Sequence, residues 1–125
     1  LVLISGFFSV KAQTPEGPKN GPIVTFTEIA HDFGDIIQGD SVMHVFHFKN
    51  SGTSPLIISE VITTCGCTAP KFTKEPVMPG KTGEIFITFR SAGKQGLQNK
   101  IITILSNSTN TPVRLSIRVN VLQKQ

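Results

Sequence analysis

The sequence predicts an all-β domain, an immunoglobulin-like sandwich of about seven antiparallel strands. Apolar residues recur at every second position in several short stretches. The cleanest sets Val113, Leu115, Ile117, Val119 and Val121 against Arg114, Ser116, Arg118 and Asn120. Turn-forming clusters separate these stretches at the spacing of a sandwich. No segment holds a sustained helical period. An open barrel is the second architecture such spacing allows, and no internal repeat is evident.

Taken in order, residues 1–12 have the apolar run and small-residue positions, Val10 and Ala12, of a signal-peptide remnant, too short to span a bilayer. Residues 13–22, rich in Pro and Gly, read as a flexible linker. The domain is expected over 23–122. Ile23 to Ile29 gives a first strand with Val24 and Phe26 on one face, and His31-Asp32-Phe33-Gly34-Asp35 is expected to break it, with Phe33 anchored in the core. Ser41 to Asn50 alternates clearly, with Val42, His44, Phe46 and Phe48 on the better core face.

After the turn cluster Asn50 to Pro55, Leu56 to Thr64 is a third strand whose Val61 joins Leu56 and Ile58 only through a bulge or a second buried face. Pro70 and Pro76 predict a loop over Ala69 to Val77, with at most a short edge strand. Glu84 to Arg90 turns Ile85, Ile87 and Phe89 inward. Gly93 and Gly96 bracket a loop, Ile101 to Leu105 is a short strand, and Pro112 to Leu122 closes the series.

A chain of 125 residues makes one domain with room for a full core. Its net charge of +4 is thinly spread, densest at Lys71, Lys74 and Lys81, which reads as a solvated face. Nucleic-acid binding would need a basic stripe with exposed stacking aromatics, and the Phe residues sit at core positions instead. No transmembrane segment is expected in the mature chain. Neither a Ser-His-Asp order, nor paired carboxylates, nor a phosphate-cradling Gly loop can be assembled, so no enzyme is predicted. Asp32-Phe33-Gly34 matches a kinase triplet without its companion motifs, and Asn107-Ser108-Thr109 is a glycosylation sequon by chance.

Several stretches together resemble one family: Ile29 to Gly34, His44 to Gly52, Pro55 to Ile58, Cys65-Gly66-Cys67-Thr68 and Pro79-Gly80. The chain resembles the DUF1573 family over roughly residues 24 to 121. The resemblance implies short exported proteins of Bacteroidetes-type bacteria, related to pilus-chaperone (PapD) and major-sperm-protein sandwiches. It implies no established activity.

Cys65 and Cys67 are the chain's two cysteines, and the motif that holds them admits four chemistries. Gly66 is expected to let the backbone turn sharply between the thiols, which in the first reading are packed, with the glycine serving a bulge or strand end. They close a small disulfide ring that encloses little chain. They bind a soft metal such as Cu(I), assisted by Met43, Met78 or a His. Or they form a redox dithiol, although one intervening residue and no helix lack the usual means of lowering a thiol pKa. Antiparallel folding also brings the start of the second strand to the pole of the motif, which predicts His44 within reach of both cysteines, near His31 and the Gly93 to Gly96 loop.

The function expected is therefore an exported, non-enzymatic module, periplasmic, envelope-bound or secreted, that binds a protein or cell-envelope partner without a cofactor. Its binding or thiol site is expected at Cys65, Gly66, Cys67, Thr68 and His44. The alternative is a Cu(I)-handling or thiol-redox protein acting through Cys65 and Cys67.

Overall fold

Alternating apolar residues need a second apolar layer to face, and the chain supplies it by folding into two four-stranded sheets. The computed structural model describes residues 20–124; the signal-peptide stretch 1–12 and the linker as far as residue 19 lie outside the described residues. Eight strands form there: β1 (Val24–Phe26), β2 (Ala30–Ile37), β3 (Ser41–Asn50), β4 (Ile58–Thr63), β5 (Thr68–Phe72), β6 (Thr82–Arg90), β7 (Gly96–Ser106) and β8 (Val113–Leu122). One sheet has the order β1-β3-β6-β5 and the other β2-β8-β7-β4. Among the described residues there is no helix.

The interior follows the period-two pattern. Phe46 and Phe48 of β3, Ile85, Ile87 and Phe89 of β6, Ile102 and Ile104 of β7, and Leu115, Ile117, Val119 and Val121 of β8 are buried between the layers. Each such side chain contributes about 1.5–3 kcal/mol of transfer free energy, which makes this interface the main source of stability.

One strand was missed by sequence. His31 to Asp35 does not break the sheet but forms the middle of β2, which runs parallel to β8, against the expectation of antiparallel pairing throughout. The register slips by one residue between Asp32 and Asp35. Gly34 takes φ +77° there and its N–H donates to Asp32 Oδ1 at 2.8 Å. This β-bulge moves the inward positions from His31 and Phe33 to Ile36, which hides the alternation.

The remaining differences are of extent. β1 keeps only Val24–Phe26, because residues 27–29 carry the chain from the first sheet to the second. β4 has a register shift between Ile58 and Glu60, the bulge that Val61 called for. β5 is the short edge strand and carries Pro70. β7 starts at Gly96, earlier than its apolar run suggests, since its first half puts the polar Gln98 and Lys100 at its half-buried positions and buries no apolar side chain. At the linker's end, Gly21 and Pro22 accept hydrogen bonds from Thr53 and Thr109.

Candidate functional site

The chain leaves β4 at Thr63 in one sheet and enters β5 at Thr68 in the other, so the residues between them form a rim on one lateral side of the sandwich. Cys65 and Cys67 are joined there by a disulfide with a Cα separation of 5.3 Å, inside the range such bonds accept. The rim is tied down by backbone. Thr68 N–H donates to Cys65 O at 3.3 Å, Arg90 N–H to Cys67 O at 2.8 Å, and the Thr63 hydroxyl to Cys65 O at 3.1 Å. The Thr68 hydroxyl is 3.9 Å from each sulfur. Both cysteines are half-buried, Cys67 against the core, and Thr68 is buried.

Two expectations at this motif need correction. Gly66 is exposed, does not take a positive φ, and a Cβ there would meet nothing within 4 Å, so neither conformation nor space demands glycine. His44 is not brought to the sulfurs. It pairs with Ile87 of β6, and Ile87 pairs in turn with Pro70 of β5, so a whole strand separates His44 from the strand that Cys67 leads into. The motif and Ser41 share a pole, both lying beside Arg90, but they occupy opposite lateral edges of the sheet.

The ring closed by the disulfide contains only three residues, and loop-closure entropy then gives about 1.5 kcal/mol of stabilisation. Replacing both cysteines by serine is expected to lower the melting temperature by no more than about 10 °C and to keep the β-sheet circular dichroism. Loss of the folded spectrum would show that the rim holds the layers together by more than chain entropy.

Beside the rim, on the outer face of the first sheet, lies a shallow depression of about 510 Å³. Met43 of β3, Phe86, Thr88 and Arg90 of β6, and Ala69, Pro70 and Lys71 of β5 line it. The register explains the grouping, because Met43, Thr88 and Ala69 share one rung while Phe86 and Lys71 share the next. Met43 is 61% exposed, an apolar side chain offered to solvent between two cationic ones.

His44 has a site of its own on the opposite lateral edge. Its ring stacks on His31 with centroids 3.6 Å apart and planes 11° from parallel, and its Nε2 lies 2.9 Å from Glu28 Oε2. Phe33 stands edge-on to His31 and Phe46 edge-on to His44. The crossing segment 27–29, β2 and β3 thus each contribute one polar group to an aromatic-walled seam. The His31 pKa lies below the ordinary histidine value, because burial and the neighbouring His44 disfavour its charge more than Glu28 and Asp32 favour it. From sequence His31 falls in a break after the first strand and Glu28 has no assigned role; the signal available is a carboxylate three residues before a histidine.

The family model described as a protein of unknown function, DUF1573, matches residues 24–121. A comparison with curated proteins found no match. Among solved structures, a protein of unknown function from Porphyromonas gingivalis W83 superposes with a TM-score of 0.71 at 17% identity, covering 95% of this chain and 54% of that one. The chain thus spans about half the length of that protein. The ASH/PapD-like domain 7 of human CEP192 gives a TM-score of 0.71 at 9% identity, with 92% and 96% covered. The YadV chaperone gives 0.55 at 10% identity, with 82% and 52% covered. Identities this low establish the PapD-like, Ig-like fold and nothing more.

Proposed function

The chain belongs to the DUF1573 family, and on that footing we propose that it is an exported, non-enzymatic Ig-like module that binds a protein partner of the cell envelope. The observation that carries this is the depression on the outer face of β3, β6 and β5. An exposed Met43 beside Phe86 and Pro70, flanked by Lys71 and Arg90, suits a protein segment with apolar and acidic side chains. Its lining offers contact area and two cations rather than a nucleophile paired with a base. The chaperone among the structural neighbours makes protein binding a natural use of the fold. The disulfide supports export, since such bonds persist in oxidising compartments. With both thiols in that bond, the alternative of Cu(I) handling or thiol-redox chemistry at Cys65 and Cys67 gains no support.

The test is capture from envelope fractions with the wild-type chain and with Met43→Asp and Arg90→Glu variants. One envelope protein should be retained by the wild type and bound about tenfold more weakly by each variant, the effect of removing an apolar or charged contact worth about 1.4 kcal/mol. Leu97→Asp, an exposed residue of β7 in the other sheet, should leave binding unchanged. A partner held equally well by the Met43 and Arg90 variants would place the interface elsewhere and overturn the assignment of this face.

A further inference from the structure

The seam at Glu28, His31 and His44 plays no part in the proposed partner surface, because Met43 and His44 are neighbours on β3 whose side chains point to opposite faces of the sheet. We infer that these three side chains form a binding site for a divalent transition ion of the Zn²⁺ class. One ligand atom from each lies within 4.8 Å of those of the other two, and all three residues are half-buried. Two imidazoles and one carboxylate make the donor set of an open tetrahedral zinc site, with a water molecule in the fourth position. Tetrahedral bonds of about 2.0–2.1 Å put donor atoms about 3.3 Å apart. The His44–Glu28 pair, at 2.9 Å, has only to open slightly, while the His31 and His44 rings, parallel with centroids 3.6 Å apart, must rotate out of their stack so that their in-plane lone pairs converge on one ion.

The backbone brings the three residues to one seam before any ion binds. His31 sits on β2 and His44 on β3, both held by sheet hydrogen bonds, so the two imidazoles are already gathered on facing strands. Glu28 enters from the crossing segment and its Oε2 is already turned to the His44 Nε2, the contact an inserted ion would take over. The rings of Phe33 and Phe46 wall the site and limit water, which strengthens the attraction between the cation and its carboxylate. Neutral imidazoles favour Zn²⁺ over the oxygen-seeking Mg²⁺ and Ca²⁺. An ion held here would pin the sheet-crossing segment to β3.

The experiment is calorimetric titration of the chain with Zn²⁺, together with melting curves at increasing Zn²⁺. One ion per chain should bind, and the melting temperature should rise with concentration as ligand linkage requires. His31→Gln, His44→Gln and Glu28→Gln should each weaken binding at least tenfold. His47→Gln is the control, because His47 lies on the outer side of β3 with Glu84 at 3.7 Å and is exposed. It should bind like the wild type. Circular dichroism of the metal-free variants separates lost binding from lost folding. Should His44→Gln not fold, Glu28→Gln, whose side chain is 41% exposed, decides in its place. Substituted Co²⁺ should show the strong visible absorption of tetrahedral coordination. Absence of saturable binding, binding retained by all three seam variants, or binding lost with His47 would each overturn the site.

Discussion

Asn50→Ala is expected to destabilise the domain by about 3 kcal/mol, lowering the melting temperature by roughly 12–20 °C. Asn50 is fully buried at the end of β3, and its side chain uses its donors and its acceptor. Its Nδ2 donates to Ser54 O at 2.7 Å and to Val77 O at 2.8 Å; its Oδ1 accepts from Gly52 N–H at 2.9 Å and Ile23 N–H at 3.3 Å. Truncation removes all four bonds: Val77 O keeps its bond from Leu56 N–H, but Ser54 O and the N–H groups of Gly52 and Ile23 lose this partner at part-buried positions, and a polar group left unpaired on burial costs about 1–3 kcal/mol. Asn50→Asp should be no remedy, because a carboxylate cannot donate to the two carbonyls. Asn120→Ala gives the contrast: its side chain donates to Asp35 at an exposed site, and its loss should cost less than about 1 kcal/mol. Equal melting temperatures for the Asn50 and Asn120 variants would show that the four bonds do not join the loops before β1, after β3 and before β6 into one unit.

Asn50 also shows what sequence could and could not supply. It was read as the first residue of a turn cluster, which it is, but composition carries no sign that it knits three segments far apart in sequence. Strands with uninterrupted alternation, β3, β6 and β8, were legible because each buries every second side chain against a full layer. β2 was not, because the bulge at Gly34 shifts its inward positions by one residue and because its neighbour β8 lies at the far end of the chain. A parallel edge strand of that kind leaves no local signature.

The site was legible to a similar degree. The Cys-Gly-Cys spacing admitted a small disulfide, and the structure contains one. Topological reasoning placed His44 at the right end of β3 but assumed nothing about lateral order. With β6 between β3 and β5, the histidine and the disulfide face away to opposite seams. The depression beside the rim was also out of reach, since Met43, Phe86 and Lys71 become neighbours only through the β3-β6-β5 register.

Gly83→Ala is expected to destabilise by about 2–3 kcal/mol, although alanine is normally the better strand residue. Gly83 lies opposite Phe48 in the β3–β6 pair, and the Phe48 ring covers it. A Cβ at residue 83 would come within 2.9 Å of both Cε1 and Cε2 of that ring. The ring cannot swing clear, because Phe48 is buried and packs against Phe26 with centroids 5.5 Å apart. If the clash is the cause, shortening the side chain should relieve it. In a Phe48→Leu background, Gly83→Ala should therefore cost at least about 1 kcal/mol less than in the wild type, a coupling read from denaturant unfolding of the four proteins. Equal costs in the two backgrounds would assign the penalty to the strand backbone rather than to the ring. Unequal costs would show that Phe48 lies flat on β6 only because residue 83 carries no side chain, which ties the edge pairing of β1 through Phe26 to a single missing methyl group.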